Sequence, residues 1–142
     1  MKGILEPYVV FNGNAKEAFE FYQKVFEISD LNLMTIKDLP PGEEMEGFDP
    51  DSVMHASLKI GDIMLMGSDN FIGEEAEKSG IFLSWASKNE EEVDKVWKAF
   101  IDAGSEIVMD MERTFWSEKY GIVKDPYGVR WMIQVYEHEE MG

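Results

Sequence analysis

The segment KDPYGVRWMIQV, residues 124–135, carries the side chains with the clearest chemical potential in the chain. Its first five residues are typical of a turn, and the alternating residues that follow predict a half-buried β-strand. In such a strand Arg130, Met132 and Gln134 lie on one face, opposite the apolar residues. An arginine there could bind a carboxylate, phosphonate or phosphate through bidentate hydrogen bonds. It could equally pair with one of the chain's own acids, and the sequence leaves both interpretations open.

The chain has two histidines, and neither belongs to a nucleophile motif such as GxSxG. His55 lies in the strand-like segment VMHASLKI, where it could act as a general acid or base or simply line a pocket as a hydrogen-bonded residue. His138 lies in the acidic segment YEHEEMG, where only weak metal binding is expected. No GxGxxG or Walker A motif is present, so the sequence offers no nucleotide-binding fingerprint.

The charge balance is strongly acidic, with 29 acidic and 13 basic residues and a formal net charge of -16. Phosphate backbones and anionic membranes require a basic surface, so neither nucleic acid nor a membrane is predicted as a partner. The same charge would favour a cationic ligand by long-range attraction. There is no cysteine, which fits a reducing compartment, and no apolar run long enough for a signal peptide or a membrane span. The expected location is the cytoplasm.

Two amphipathic helices are predicted, at NAKEAFEFYQKVF and NEEEVDKVWKAFIDAG. Each opens with an asparagine at the N-cap position, Asn14 or Asn89, followed three residues later by a glutamate, as in a capping box. Apolar residues then recur at helical spacing. Gly104 is the expected C-terminal cap of the second helix.

The two helices superimpose at a shift of 75 residues, and a strand-like segment precedes each of them. Further strands are predicted in both halves, so the chain has the pattern βαβββ twice. Pattern and spacing predict one domain over residues 1–142, built from two modules at about 4–70 and 78–137. The acidic loop KDLPPGEEMEGFDPD is expected to be a mobile surface segment.

Two such modules can form a curled mixed sheet with helices on one side and a concave cup on the other, an α+β fold. The strand residues that alternate with the apolar set are predicted to line this cup. Phe115 and Trp116 are predicted to lie at its rim, where they could stack on a ligand or simply pack at the edge. From the first strands, Pro7, Val9 and Phe11 and their repeats Phe82, Ser84 and Ala86 are expected to face it. The predicted ligand contacts are Phe11, His55, Ser57, Met64, Met66, Trp116, Tyr120, Arg130, Met132 and Gln134. A mostly apolar cup with a few polar groups is typical of a small-molecule site, and a one-residue error in register would reverse these assignments.

Three segments together with the doubled βαβββ pattern carry a family resemblance: PYVVFNGNAKEAFEFYQKVF, MHASLKIGDIMLMGSD and TFWSEKYGIVKDPYGVRWMI. Over about residues 4–137 the chain resembles the vicinal oxygen chelate superfamily, which includes glyoxalases, dioxygenases and bleomycin-resistance proteins. Within it, the chain is most similar to the PhnB-like branch, also labelled 3-demethylubiquinone methyltransferase-like. The resemblance implies the glyoxalase/bleomycin resistance fold and a homodimer. The sequence has no glycine-rich adenosylmethionine motif to support methyl transfer.

The resemblance also implies where a divalent metal would be held, because relatives use His, Gln or Glu at four strand positions. These positions fall near Pro7, Met66, Phe82 and Met132, and none of the four side chains suits a hard or borderline divalent ion. A methionine thioether suits only soft metals such as Cu(I), and methionines in an apolar cup are more often packing residues. The sequence therefore predicts no metal and no cofactor.

Three functional hypotheses follow. The first is a module that binds an unknown small molecule without metal, as bleomycin-binding relatives do. The second is an enzyme of lyase, isomerase or transferase type acting on a small metabolite in the same cup, either metal-free with His55 as acid or base or metal-dependent through unconventional ligands. The third is a homodimer whose cup is filled by its own side chains. The strands near Trp85 are the candidate dimer interface, although burial within one chain would explain them as well.

Overall fold

The computed structural model describes residues 1–136 and divides into two compact units, Met1–Ala76 and Glu77–Gly142. Each unit contains one βαβββ pattern, so both predicted helices and all eight predicted strands are confirmed. The elements of the first unit are β1 (Tyr8–Phe11), α1 (Ala15–Val25), β2 (Asn32–Thr35), β3 (Val53–Ile60) and β4 (Ile63–Asp69), with a 3-10 turn at Ile36–Asp38. Those of the second are β5 (Phe82–Ser87), α2 (Glu90–Asp102), β6 (Glu106–Glu112), β7 (Tyr120–Lys124) and β8 (Arg130–Val135).

Backbone pairing places these strands in two four-stranded mixed sheets, with orders β1-β4-β3-β2 and β5-β8-β7-β6. We call them sheet 1 and sheet 2. In each sheet the first strand of the module pairs in parallel with the last, and the other pairs are antiparallel. The α+β class is confirmed. The strands form one sheet per unit rather than a single curled sheet, because every strand pairing joins two strands of the same unit.

The core of the first unit lies between α1 and sheet 1. The buried stripe of α1 consists of Ala15, Ala18, Phe19, Tyr22 and Val25. Phe19 contacts Phe11 of β1 edge to face, with ring centroids 5.9 Å apart. Burying one such side chain stabilises the fold by about 1.5–3 kcal/mol.

The core of the second unit lies between α2 and sheet 2. Val93 and Phe100 of α2 are fully buried, and the Phe100 ring lies 5.5 Å from the ring of Trp131 in β8. The Trp131 indole N–H donates a hydrogen bond of 3.0 Å to Asp125 Oδ2. Trp131 thus has both its apolar surface and its polar group satisfied inside the unit, as a buried tryptophan requires.

The two helix starts differ, although the sequence predicts the same cap for both. The Asn89 side chain accepts a hydrogen bond of 3.2 Å from the Glu92 N–H, as expected. Asn14 occupies the N-cap position of α1, but its side chain makes no cap bond. Asp69, at the end of β4, accepts the Ala15 N–H instead. Local sequence cannot reveal a cap that arrives from a distant strand.

The loop between the 3-10 turn and β3 contains no helix or strand, in line with its proline- and glycine-rich sequence. Lys37 and Asp51 form an ion pair of 2.7 Å across its base, and the Phe48 ring lies 5.0 Å from that of Phe71. Its predicted mobility stays a prediction. None of the helices in the described residues has the length and apolar character needed to cross a bilayer.

Candidate functional site

Each sheet has one face against the helix of its own unit and one that points away from it, which we call the distal face. In sheet 1, a Cβ placed on Gly67 would meet the Phe19 ring of α1, so Gly67 points toward the helix. Because strand residues alternate, Met64 and Met66 of β4 belong to the distal face. In sheet 2, a Cβ on Gly121 would meet the Trp97 ring of α2, so Gly121 points toward that helix. The residues that alternate with Gly121 in β7 therefore belong to the distal face of sheet 2.

The distal face of sheet 1 brings together four of the predicted ligand contacts. Met66 lies beside Ser57 in the neighbouring strand, and Met64 lies beside Lys59. His55 lies on the same face of β3 as Ser57 and is paired with Met34 of β2. His55, Ser57, Met64 and Met66 therefore share one surface, as their alternation predicts. Their contact with a ligand stays a prediction.

The distal face of sheet 1 also holds a residue that the sequence assignment missed, Tyr8. Its pairing with Met66 in the parallel register places it on the distal face, and its ring centroid lies 6.1 Å from that of His55. The tyrosine is 48% exposed. A phenol and an imidazole side by side form the most reactive grouping on this face, since both can donate and accept protons.

Phe11 is not on the distal face, and its predicted orientation is wrong. It is fully buried against Phe19 of α1. The cause is one extra residue: two residues lie between the end of β1 and the N-cap Asn14, whereas one residue lies between the end of β5 and Asn89. Gly13, with φ of 97°, accommodates the extra residue in a conformation that glycine adopts readily. Aligning the modules on their helices therefore reverses the faces of β1, so Pro7 and Val9 were assigned to the wrong side with Phe11.

The distal face of sheet 2 contains three cross-strand rows, each running from β5 through β8 to β7. The rows are Phe82–Arg130–Lys124, Ser84–Met132–Ile122 and Ala86–Gln134–Tyr120. The alternating burial of β8 agrees with this arrangement, because Trp131, Ile133 and Val135 are buried on the helix side. Gln134 Nε2 donates a hydrogen bond of 3.2 Å to Ser84 Oγ. Arg130, Met132 and Gln134 are thus brought together with half-exposed side chains, as predicted.

Lys124 is a second residue that the sequence assignment missed. It lies directly opposite Arg130 in the antiparallel pair of β7 and β8, so two cations are cross-strand neighbours. The signal was present in the sequence, because the turn KDPYG leaves Lys124 and Arg130 at the two ends of a hairpin. Cross-strand residues have Cβ atoms about 4.5–5.5 Å apart, and like charges at that separation are destabilising.

The predicted rim residues Phe115 and Trp116 form an edge-to-face aromatic cluster with Tyr120 in the second unit. Phe115 contacts Trp116 at a centroid distance of 4.6 Å, and Trp116 contacts Tyr120 at 5.3 Å, both edge to face. Phe115 is 95% exposed, whereas Tyr120 is only 9% exposed. Trp116 and Tyr120 are therefore neighbours, and Tyr120 connects the cluster to the distal face of sheet 2.

The four positions at which a metal would be expected do not fit one. The β1 residue paired with Met66 is Tyr8 rather than Pro7, and the β5 residue paired with Met132 is Ser84 rather than Phe82. Tyrosine, serine and methionine side chains do not form the imidazole and carboxylate set that divalent ions prefer. Within residues 1–136, no three His, Asp or Glu side chains are grouped so that they could hold an ion. His138 lies outside the described residues. Whether the protein holds a metal stays a prediction.

A polar depression of about 210 Å³ lies elsewhere in the first unit, at the start of α1. None of the predicted ligand contacts line it. Asp51 on its wall has a pKa held below the ordinary value, first by the hydrogen bond and then by the charge of Lys37. The Asp69 carboxylate on the same wall accepts the N–H groups of Ala15 and Val53. Both carboxylates are thus engaged in interactions that stabilise the fold, so this depression is not the proposed ligand site.

Trp85, the centre of the predicted dimer interface, is half-buried and pairs with Ile133 in the register of β5 and β8. Ile133 is fully buried on the side of α2, so Trp85 belongs to that side as well. Its burial within one chain is therefore accounted for by its own unit. The dimer itself stays a prediction.

Comparison with known proteins gives one family and a set of similar chains. The profile of 3-demethylubiquinone-9 3-methyltransferase matches residues 4–134. Protein YjdN of Escherichia coli is 29% identical over 143 residues, which cover 95% of this chain and 97% of YjdN.

Solved structures resemble the chain over nearly its full length. A putative 3-demethylubiquinone-9 3-methyltransferase, PhnB protein, from Bacillus cereus has a TM-score of 0.73 at 24% identity, covering 94% of this chain and 99% of its own. The fosfomycin resistance protein FosX from Listeria monocytogenes has a TM-score of 0.66 at 11% identity, covering 99% and 98%. At these identities the likeness shows the fold alone, which is the glyoxalase/bleomycin resistance fold implied by the sequence.

Proposed function

The chain belongs to the 3-demethylubiquinone-9 3-methyltransferase family, the PhnB-like branch of the vicinal oxygen chelate fold, and we propose that it binds a small organic molecule on its distal sheet faces without a divalent metal. The observation that supports this most is the composition of the sheet 2 face. Met132 and Ile122 offer apolar contact, while Arg130, Ser84 and Gln134 offer hydrogen bonds. A largely apolar surface with a few polar groups suits a small molecule.

The methionines make this surface adaptable. Met64 and Met66 lie on the distal face of sheet 1 and Met132 on that of sheet 2, all half-exposed. Methionine is unbranched and polarisable, so it can pack against ligands of irregular shape. We therefore expect each of these residues to contact a molecule bound on the distal face of its own sheet.

Methyl-labelled methionine provides a direct test. In a protein carrying ¹³C-methyl methionine, screening a panel of small molecules by NMR is expected to shift the methyl signals of Met64, Met66 or Met132. The loop residue Met45 serves as a control whose signal stays in place. A ligand that shifts only methionines away from the distal faces would contradict the proposed site.

The methyltransferase label in the family description is not part of the proposal. The sequence has no glycine-rich motif for adenosylmethionine. We propose binding, rather than methyl transfer, as the function that the residues of the distal faces support.

A second candidate function, proton transfer, is favoured by the Tyr8–His55 pair. The two rings lie 6.1 Å apart between centroids on the distal face of sheet 1. An imidazole beside a phenol could serve as acid and base in an isomerase- or lyase-type reaction. In this alternative, H55Q and Y8F would each lower turnover of any substrate found by about 100-fold. Unchanged turnover in H55Q, with M34L as the control beside it, would exclude His55 as the acid or base.

We also propose that the protein forms a homodimer. Ile107 and Val108 of the edge strand β6 are 47% and 49% exposed, which leaves apolar surface for a second copy to cover. Sedimentation equilibrium is expected to give twice the mass of 16.3 kDa. A single-chain mass at micromolar concentration would contradict the dimer.

A further inference from the structure

We propose that Lys124 and Arg130 form an oxyanion-binding subsite, which takes the carboxylate, phosphonate or phosphate group of the ligand. The inference rests on the proposed function, because it assigns a chemical class to the molecule bound on the distal face of sheet 2. It starts from the register of β7 and β8, in which the two residues are direct cross-strand partners. Two adjacent cations repel each other unless an anion lies between them.

No acid of the described chain neutralises this pair. The ion pairs within residues 1–136 join other residues, although the sequence has 29 acids for 13 bases. Both side chains are half-exposed, so an external anion can reach them. A protein this acidic has many carboxylates that could pair with a cation. Because neither Lys124 nor Arg130 is paired with one of them in the described part of the chain, both remain able to bind an anionic ligand.

The acid next to Lys124 in the chain is already committed. Asp125 is 3% exposed, and its carboxylate accepts the N–H groups of Tyr127 and Val129 and the indole N–H of Trp131. Trp131 packs against Phe100 of α2, so the Asp125 carboxylate that accepts its indole N–H lies on the helix side of the sheet. Its oxygens are not free to pair with the cations on the distal face.

One further acid lies beside the pair. Glu106 of β6 is the cross-strand neighbour of Lys124 on its other side, and it is exposed. No ion pair joins the two among the described residues. Because the Glu106 carboxylate lies next to Lys124, its negative charge opposes the binding of an external anion there. Replacing Glu106 by glutamine is therefore expected to strengthen anion binding.

The neighbouring rows indicate what the rest of the ligand looks like. Phe82 flanks Arg130, and the next row is Ser84, Met132 and Ile122. Gln134 lies in the third row with Ala86 and Tyr120 and donates a hydrogen bond back to Ser84. Strand residues two apart are separated by about 6.5–7 Å, so the three rows span about 13 Å. The surface fits a small organic anion with a short apolar body and a hydrogen-bonding group at the far end.

The corresponding hairpin of sheet 1 provides a matched control. There Lys59 of β3 is paired with Met64 of β4, so a single cation replaces the pair. Lys59 is exposed on a distal face like Lys124, but it lacks a cationic neighbour across the strand. If binding requires both cations of the pair, an oxyanion should bind at the sheet 2 hairpin and not at the sheet 1 hairpin.

The test is a titration of the full-length protein with inorganic phosphate, methylphosphonate and acetate, followed by ¹⁵N amide shifts. We expect saturable shifts in β7 and β8, and the affinity is expected to fall at least about tenfold in K124Q and in R130Q, since a hydrogen bond to a charged group is lost. R130K should give an intermediate loss, because the charge remains but the bidentate geometry does not. K59Q should bind like the natural protein, and E106Q more tightly. The ratio of methylphosphonate to acetate affinity distinguishes a phosphonate-type group from a carboxylate.

Thermal unfolding provides a second measurement that does not need an assigned spectrum. Without anion, K124Q and R130Q should melt at the same temperature as the natural protein or higher, because the repulsion is relieved. Phosphate should raise the melting temperature of the natural protein and of K59Q, but not of the two variants. Equal stabilisation of all four proteins, or shifts confined to residues outside β7 and β8, would overturn the inference.

The subsite and the proposed function fail separately. Phosphate binding at Lys124 and Arg130, in a protein whose distal faces bind no organic molecule, would support the subsite and contradict the function. Binding of uncharged or cationic molecules at the distal faces, with affinity unchanged in K124Q and R130Q, would overturn the subsite and leave the function standing.

Discussion

Asp69 caps helix α1 from 54 residues away: its Oδ1 accepts the backbone N–H of Ala15 at 3.0 Å. Its Oδ2 accepts the N–H of Val53 at 2.8 Å, and Asp69 as a whole is 7% exposed. One side chain at the end of β4 thereby joins the start of α1 to the start of β3. This places the helix on sheet 1 and fixes which face of the sheet remains distal.

Replacing Asp69 by alanine is expected to lower the free energy of unfolding by about 2–3 kcal/mol, because two buried N–H groups lose their acceptor. Urea denaturation followed by circular dichroism measures this change. The control is N14A, since the Asn14 side chain makes no cap bond and its loss should cost much less. A larger effect of N14A than of D69A would show that the cap is local after all.

Asp125 holds the β7–β8 turn in the second unit, and D125A should lower the free energy of unfolding by about 3 kcal/mol, since three N–H donors lose one acceptor. W131F keeps an aromatic ring in the core and removes only one of these donors, so its cost should be smaller, about 1 kcal/mol. Chemical denaturation of the two variants checks the order. If W131F destabilised more than D125A, ring packing would outweigh the hydrogen bonds.

Two glycines are required by close contacts with the helix of their unit and, for Gly67, also with the β1 backbone. A Cβ on Gly67 would lie 2.6 Å from Val9 O and 2.8 Å from the Phe19 ring, and one on Gly121 would lie 2.7 Å from the Trp97 ring. Overpacking of this kind costs about 1–3 kcal/mol, so G67A and G121A should both lower the melting temperature. Gly80, which has no atom within 4 Å of its Cβ position, gives the control G80A. Equal melting temperatures for all three variants would contradict the assigned faces.

Acid sensitivity should arise in part from Asp38. Hydrogen bonds from the Thr35 N–H and hydroxyl hold the pKa of the Asp38 carboxyl below its ordinary value of 3.8. A depressed carboxyl pKa contributes stability that is present above the unfolded-state pKa and is lost as pH falls through the folded-state pKa. The free energy of unfolding, measured between pH 6 and 3, should therefore fall less steeply in D38N than in the natural protein. D30N is the control, and an identical slope in D38N would remove Asp38 from this account.

The secondary structure followed from the sequence because both helices have an apolar stripe and most strands alternate. The distal residues of β3, β4 and β8 could be assigned by alternation alone, since one strongly apolar set identified the helix side. β1 could not, because both of its faces are apolar and the extra residue at Gly13 shifts its register relative to the helix.

The missed features share another physical cause. Asp69 as a cap, Tyr8 beside His55 and Lys124 beside Arg130 all depend on which strands are neighbours. Spacing along the chain carries no direct information about such contacts. The pairing of Lys124 with Arg130 was the easiest of these contacts to predict from the sequence, because a hairpin turn places its two flanking residues opposite each other.

The central claim, binding on the distal faces without a divalent metal, is tested most directly by the metal content of the purified protein. Mass spectrometry of the untagged protein, after dialysis without chelator, is expected to find well below one zinc, nickel, iron or manganese ion per chain. Addition of these ions should leave the melting temperature and ligand affinity unchanged. One tightly held ion per chain, lost together with ligand binding in M66A or M132A but not in M45A, would contradict the account.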